Sequence, residues 1–291
     1  MKNSAADHAA NCEGRLVGVA PRWKLHAGVT LIEPGAKFSL IEIAPDAKGA
    51  ASKDKAAKQI KKLREQLAGL QEALYAEHRR SLLIVMQAMD TGGKDGAIKN
   101  LCGGLDPNGL QLTNFKYPTP EEWDHDFLWR VHHAVPGKGV VGIWNRSHYE
   151  DVLVPRVHKQ ISEAVWRERC EDINAFERLL TRNGVTILKF FLHISKDEQK
   201  GRLQARLNDV KKLWKFNPAD LKERALWDEY RRAYEAVVQQ CASDDAPWHI
   251  VSANHKWSRN LVMLETVVAR LEQMKPQYPA ADFDPKSIKI E

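Results

Sequence analysis

The stretch SLLIVMQAMDTGGKDGAIKNL, residues 81–101, decides how the chain is read. Its first part, residues 81–86, is a continuous apolar run, the pattern of a strand covered on both faces in a parallel sheet. Gly92, Gly93 and Lys94 follow almost at once, and the sequence then turns helix-compatible. Strand, glycine turn, Gly-Lys pair and helix in that order make a Walker A-type phosphate loop. The glycines let successive N–H groups converge on phosphate oxygens, the helix starting near Lys94 adds its positive end, and Lys94 brings a point charge. Two positions depart from the usual pattern: Ala88 stands for the first glycine, and Asp95 for the Ser or Thr after the lysine. That hydroxyl ordinarily holds magnesium, and Asp90 inside the loop offers an anionic oxygen in its place.

Similar apolar runs recur at residues 139–144, 185–191 and 248–251, each separated from the next by enough chain for at least one helix. The alternation predicts an α/β protein with the P-loop kinase fold: a parallel β-sheet flanked by helices, with a helical lid and an N-terminal extension. Between residues 52 and 77, Ile60, Leu63, Leu67, Leu70 and Leu74 recur three and four apart, which predicts a helix packed on the core or on another subunit. Three segments follow: an N-terminal arm at 1–52, a core at 53–275 with its lid at about 202–242, and a C-terminal tail at 276–291 carrying Pro276, Pro279 and Pro285.

A length of 291 residues, 43% of them hydrophobic, suits one large domain. The formal charge of +6 fits an anionic partner. The excess is concentrated, since residues 196–232 carry 11 basic against 7 acidic side chains. Cys12, Cys102, Cys170 and Cys241 lie far apart without CxxC spacing, which predicts free thiols in a reducing compartment. Residues 1–11 lack a signal-peptide core and no apolar run reaches membrane-spanning length, so the expected location is the cytoplasm. His132 and His133 lie outside any HExxH pattern and are read as packing or phosphate contacts, after a helix holding Trp123, Phe127 and Trp129. The nine Trp are read as core and lid packing rather than a platform for nucleic-acid bases.

Four segments, MQAMDTGGKDGAIKNL (86–101), IWNRSHYEDVLVPRVH (143–158), RLNDVKKLWKFNPADLKERALWDEY (206–230) and ANHKWSRN (253–260), together resemble the second family of polyphosphate kinases. The likeness runs from about residue 25 to 275, and the NRSHYEDVL form resembles the class III subgroup, which phosphorylates nucleoside mono- and diphosphates. The resemblance implies a polyphosphate donor, an adenine or guanine nucleotide acceptor and Mg2+ between them; the amphipathic helix from Ser52 and the N-terminal arm suggest a homo-oligomer, a dimer or tetramer, and neither membrane nor nucleic acid is expected as partner. It implies a catalytic set of Asp90, Lys94, Asn145, Arg146 and Arg206, with Asp90 and Glu150 toward the metal. Phosphate contacts fall to Thr91, Gly92, Gly93, Lys94, Asp95, Gly96 and Lys99 and to the lid lysines Lys211, Lys212 and Lys215; acceptor contacts fall to Asn145, Arg146, Glu150 and Arg156. Asn145 stands where relatives restricted to diphosphates often carry Asp, and the lost charge favours AMP as an acceptor. Pro155 and the Thr91-Gly92 pair depart from the family pattern at positions without a charged role.

The residues support much of this without the family. Asn145 and Arg146 leave the carboxyl end of an apolar strand, where ligands bind in parallel sheets, and an Arg there can bridge phosphate oxygens with its planar fork. Glu150 or Asp151 can reach a metal, or both can sit as surface charges on a helix beginning at Ser147. The basic stretch can close over a polyanion and exclude water, or remain a solvated helix face. An ATP-dependent nucleoside monophosphate kinase makes the same demands on loop, lid and acceptor site, and a non-catalytic binder of polyphosphate or nucleic acid is the reading from another class.

Overall fold

The computed structural model describes residues 27–37, 39–49 and 52–290, so Cys12 and the stretch before residue 27 lie outside the described residues. Among the described residues six strands form one sheet: β1 (Val29–Ile32), β2 (Ser81–Ala88), β3 (Leu110–Asn114), β4 (Val141–Asn145), β5 (Val185–His193) and β6 (Trp248–Ser252). Their order is β1-β6-β5-β2-β4-β3, parallel throughout except β1, which runs antiparallel to β6. All eight residues of β2 are buried, as the apolar run requires of a central strand. The chain leaves β2 toward β4 and β3 on one side and returns to β5 and β6 on the other, so the loop after β2 stands at the point where the strand order reverses.

The helices are α1 (Lys53–Glu77), α2 (Lys94–Leu101), α3 (Pro120–Trp123), α4 (Trp129–His133), α5 (Glu150–Val157), α6 (Glu163–Arg182), α7 (Lys196–Leu207), α8 (Ala219–Ala225), α9 (Trp227–Cys241) and α10 (Lys256–Met274). Ser52 caps α1 by accepting from the Lys55 amide, and His78 ends it in the left-handed conformation. The apolar stripe of α1 packs inward: Leu67 and Leu74 are buried, with Ile60, Leu63 and Leu70 against them, beside Leu264 and Leu271 of α10. The face that the sequence left open to another subunit is thus used within the chain. The single helix read around Trp123, Phe127 and Trp129 is two short ones, because Asp126 turns to accept from the Leu128 amide. The helix read as starting at Ser147 begins at Glu150, residues 147–149 forming a turn.

Alternation along the strands divides the core between the two faces of the sheet. Leu82, Ile84 and Met86 point toward α1, α2 and α10, while Leu83 and Val85 point toward a layer holding Trp144, Tyr149, Trp166, Phe176 and Trp248. Lys189, in the middle of β5, lies on this second side and is fully buried. Its Nζ donates to Glu177 Oε2 at 2.6 Å, Tyr149 Oη at 3.0 Å and the Cys241 carbonyl at 2.6 Å, which uses all three ammonium donors. Burial pushes the Glu177 carboxyl up, but Lys189 and His148 outweigh it and hold the group below its ordinary value.

A carboxyl whose folded value is depressed contributes stability above its unfolded value, and loses it as the pH falls through the folded one. Glu177→Gln therefore leaves a buried ammonium uncompensated and is expected to cost about 3–5 kcal/mol by urea unfolding at neutral pH. The gap between variant and wild type should narrow on acidification below the usual carboxylate range. A variant as stable as wild type at neutral pH would show that Lys189 is held without this carboxylate.

Candidate active site

The carboxyl ends of β2, β4 and β3 open onto a cleft of about 840 Å³. Residues 90–96 form its floor, Asn114, Phe115, Lys116 and Tyr117 one wall, and Asn145 and Arg146 the corner between them. Arg206, Lys212, Lys215, Asn217 and Asp220 stand opposite the floor, while Arg202, Lys256 and Arg259 line the cleft from α7 and α10. The phosphate loop and the basic segment thus face one space, as the kinase reading demands. Lys99, Lys211, Glu150 and Arg156 do not line it. Arg156 stacks on Trp166 at 3.8 Å and pairs with Glu163 at 3.1 Å, so it braces α5 against α6. Lys99 is on the last turn of α2, and Lys211 is exposed in the 3₁₀ turn Val210–Lys215.

The loop has the geometry that its glycines allow. Gly93 takes φ +97° and caps α2, and Thr91 takes φ +56°. A side chain at Gly93 would run into the Arg259 guanidinium, and one at Gly92 would meet the Ala88 Cβ at 2.5 Å and the Met89 carbonyl at 2.8 Å. Lys94 folds back so that Nζ donates to the Ala88 carbonyl at 3.2 Å. Burial pushes its ammonium below the ordinary lysine value and Arg146 adds to this, with Glu150, Asp90 and Asp95 opposing.

Arg146 is held firmly in the corner of the cleft. It holds φ +65°, and its amide donates to the Met86 carbonyl at 3.0 Å. Its guanidinium stands 3.5 Å from Asp90 and 3.9 Å from Glu150, and the Glu150 charge raises its already high value further, against burial. Burial pushes the Glu150 carboxyl up, opposed by Arg146 and Lys94. Gln87, with its amide turned to suit its neighbours, donates to Glu150 at 2.9 Å, so Glu150 sits under Arg146 rather than open to the cleft. Asn145 donates to Asp95 at 3.1 Å and to Asn114 at 2.9 Å, tying the loop to β3.

Among the described residues no cluster of three or more His, Cys, Asp or Glu side chains is disposed to enclose a metal. A magnesium site suits that donor set, because this ion takes one or two carboxylates and completes its shell with phosphate oxygens and water. Asp90, whose side chain is 37% exposed, supplies such an oxygen at the cleft floor. The histidines pack as expected: His132 lies edge-on to Phe176 and His133 to Trp129.

Sequence reading missed the groups that hold the loop's carbonyls. Arg202 donates to the carbonyls of Thr91, Gly92 and Ala253, Arg259 to Gly93, and Gln199 to Asp90. Arg202 lies four residues before Arg206 on one helix, so their side chains share a face, and that spacing was the available signal.

With this geometry in view, the relatives are informative. The model of the family described as polyphosphate kinase 2 matches residues 50–279. The chain belongs to that family. It is 45% identical over 262 residues to an AMP/ADP-polyphosphate phosphotransferase of Meiothermus ruber, covering 89% of this chain and 98% of that protein. An ADP-polyphosphate phosphotransferase of Rhodopseudomonas palustris is 43% identical over 74% of this chain and 78% of its own. In three dimensions the chain is similar to the crystal structure of polyphosphate kinase 2 from Arthrobacter aurescens, with a TM-score of 0.86, 43% identity, and coverage of 88% and 92% of the two chains. This member of the polyphosphate kinase 2 family is accordingly a phosphotransferase, with the P-loop kinase fold that the sequence predicts.

Gly93→Ala tests the loop. Its left-handed φ and the Arg259 contact should cost about 1–3 kcal/mol of stability and more than about tenfold in turnover, because phosphate positioning is lost. Thermal unfolding beside steady-state rates measures both, and a wild-type rate would show that the turn is not required.

Proposed function

We propose that this polyphosphate kinase 2 family member transfers a phosphoryl group from inorganic polyphosphate to AMP and to ADP, forming ADP and ATP reversibly. The observation that carries this reading is the single cleft in which an anion-holding loop faces Arg206, Lys212 and Lys215, with Asn145 and Arg146 at its corner. In the transfer, the bond from the terminal phosphorus to the bridging oxygen of the donor breaks. A bond forms to an acceptor phosphate oxygen, and the shortened polyphosphate leaves with the bridging oxygen. Such transfer needs little covalent help, so the residues act by position and charge.

Lys94 and the amides of residues 93–96 hold the transferred phosphate, and Arg206 offsets its charge from the lid side. Arg206 is placed for this by α7, with the Lys215 carbonyl and Asp220 beside it. Lys212 and Lys215 steer the polyanion and Lys211 extends the basic surface. Lys215 already reaches across to Asp95 at 3.5 Å, which joins lid and loop. Arg146 receives the acceptor phosphate, and Glu150 holds Arg146 in register from beneath. Asp90 would hold Mg2+, which supplies neutralisation of phosphate charge when bound. Closing the lid excludes water, which would otherwise compete as acceptor.

Asn145 underlies the inclusion of AMP. A carboxylate there would stand beside Asp95 and oppose a phosphate at Arg146, whereas the amide bridges Asp95 to Asn114 without adding charge. The free Cys102, Cys170 and Cys241 fit the cytoplasmic placement, and no helix among the described residues is long and apolar enough to cross a membrane.

Purified protein given polyphosphate, magnesium and AMP should yield ADP and then ATP; a folded enzyme giving no product rejects the reading, and product from ATP but not from polyphosphate favours an ordinary nucleotide kinase. Lys94→Ala should abolish turnover while polyanion retention stays close to wild type, and unchanged turnover removes Lys94 from the mechanism. Asn145→Asp should lower the use of AMP relative to ADP by about tenfold, the scale of one added like charge. An unaltered ratio of kcat/KM values assigns acceptor choice elsewhere.

A further inference from the structure

We infer that Arg202, backed by Gln199 and Arg259, is a positioning residue that forces the phosphate loop to present its amides, and not its carbonyls, to the donor. The inference rests on the phosphoryl-transfer reading of the cleft. A glycine-rich loop is free to turn its peptide planes either way, and only one way makes an anion site. In this chain six consecutive carbonyls are occupied by donors of the protein itself. The Ala88 carbonyl accepts from Lys94 and Tyr234, Met89 from the Gly92 amide, and Asp90 from Gln199 at 2.9 Å. Thr91 and Gly92 accept from Arg202 Nη1 at 3.1 and 2.9 Å, and Gly93 from Arg259 Nη1 at 3.1 Å. With the carbonyls held, the first-turn amides of α2, which have no partner within the helix, are left for a ligand.

The arginines are built for this task. The other arm of Arg202 donates to the Ala253 carbonyl at 2.6 Å, just beyond β6, and its Nε donates to Glu198 at 2.7 Å, so the fork is fixed at three points. Arg259 is 2% exposed, and Nε and Nη2 both donate to Asn260 Oδ1. Two guanidinium groups converging on one loop repel each other, and the carbonyl oxygens between them offset that repulsion. A lysine in place of Arg202 keeps the charge but cannot bridge the loop and the end of β6 at once. Because Arg202 and Arg206 lie one turn apart on α7, the same helix sets the loop conformation and the distance from loop to lid arginine.

The experiment uses the full-length protein with Arg202→Lys, Arg202→Gln and Arg259→Lys. In substrate-free protein, the acylation rate of Lys94, followed by mass spectrometry, should rise about threefold or more in each variant, the factor for losing one net hydrogen bond. With tripolyphosphate and with long polyphosphate, kcat of Arg202→Lys should fall about 100-fold by the same factor, because the displaced loop serves every donor alike. Arg202→Lys should be no better than Arg202→Gln. Unchanged Lys94 labelling, a loss confined to long donors, or recovery by lysine would each overturn the inference and make Arg202 a charge on the donor itself. The labelling result needs no turnover, so it stands apart from failure of the phosphoryl-transfer reading. If an arginine variant loses its fold by circular dichroism, Gln199→Ala, which removes the α7 donor to the Asp90 carbonyl and leaves only the Thr91 hydroxyl on it, carries the same labelling test with the same two outcomes.

Discussion

The direction in which the peptide planes of residues 90–93 face is the constraint on which the rest of the site depends. A loop between a buried strand and a helix has backbone dipoles and no side chain long enough to arrange them alone. Here the arrangement is imposed from outside the loop, by groups on α7 and α10 that take up its carbonyl oxygens. Everything the cleft offers an anion follows from that: free amides, the positive end of α2, and Lys94 held on the Ala88 carbonyl.

The charges in the cleft are arranged by distance from the floor. Arg146 lies between Asp90 and Glu150, so one carboxylate faces the cleft while the other supports the guanidinium from behind. Lys94 sits close enough to Arg146 for the two cations to disfavour each other, an arrangement that a phosphate between them would relieve. The basic segment carrying Lys215 and Arg206 faces the loop across the cleft and is anchored at a second point by His158 and Glu223, 3.1 Å apart. Its trailing part, α9, is no surface appendage: Tyr234, Val237 and Val238 are buried, and Tyr234 donates to the Ala88 carbonyl.

Four of the six strands were legible because buried parallel strands are continuous apolar runs. The other two were not, for physical reasons. Leu110–Asn114 alternates apolar and polar residues and is only partly buried at the sheet edge, while Val29–Ile32 is four residues long and gains its identity from pairing with β6. Asp90, Lys94, Asn145, Arg146 and Arg206 share the cleft; the first four were legible because each follows an apolar strand at its carboxyl end, whereas Arg206 was singled out by the family resemblance. Arg156, in the last turn of α5, shows the opposite, since its guanidinium finds an indole instead. Arg202 and Arg259 escaped notice because their partners in the loop are main-chain oxygens, and only the spacing of Arg202 from Arg206 gave a signal for either.

The lysine at the centre of β5 has a consequence for how this chain can diverge. Its ammonium, the Glu177 carboxylate and the Tyr149 hydroxyl satisfy one another in the buried core, so no member is replaceable singly by an apolar residue of its own size. Drift at these three positions must proceed by concerted exchange, and a relative that has lost Lys189 should be found to have lost Glu177 with it.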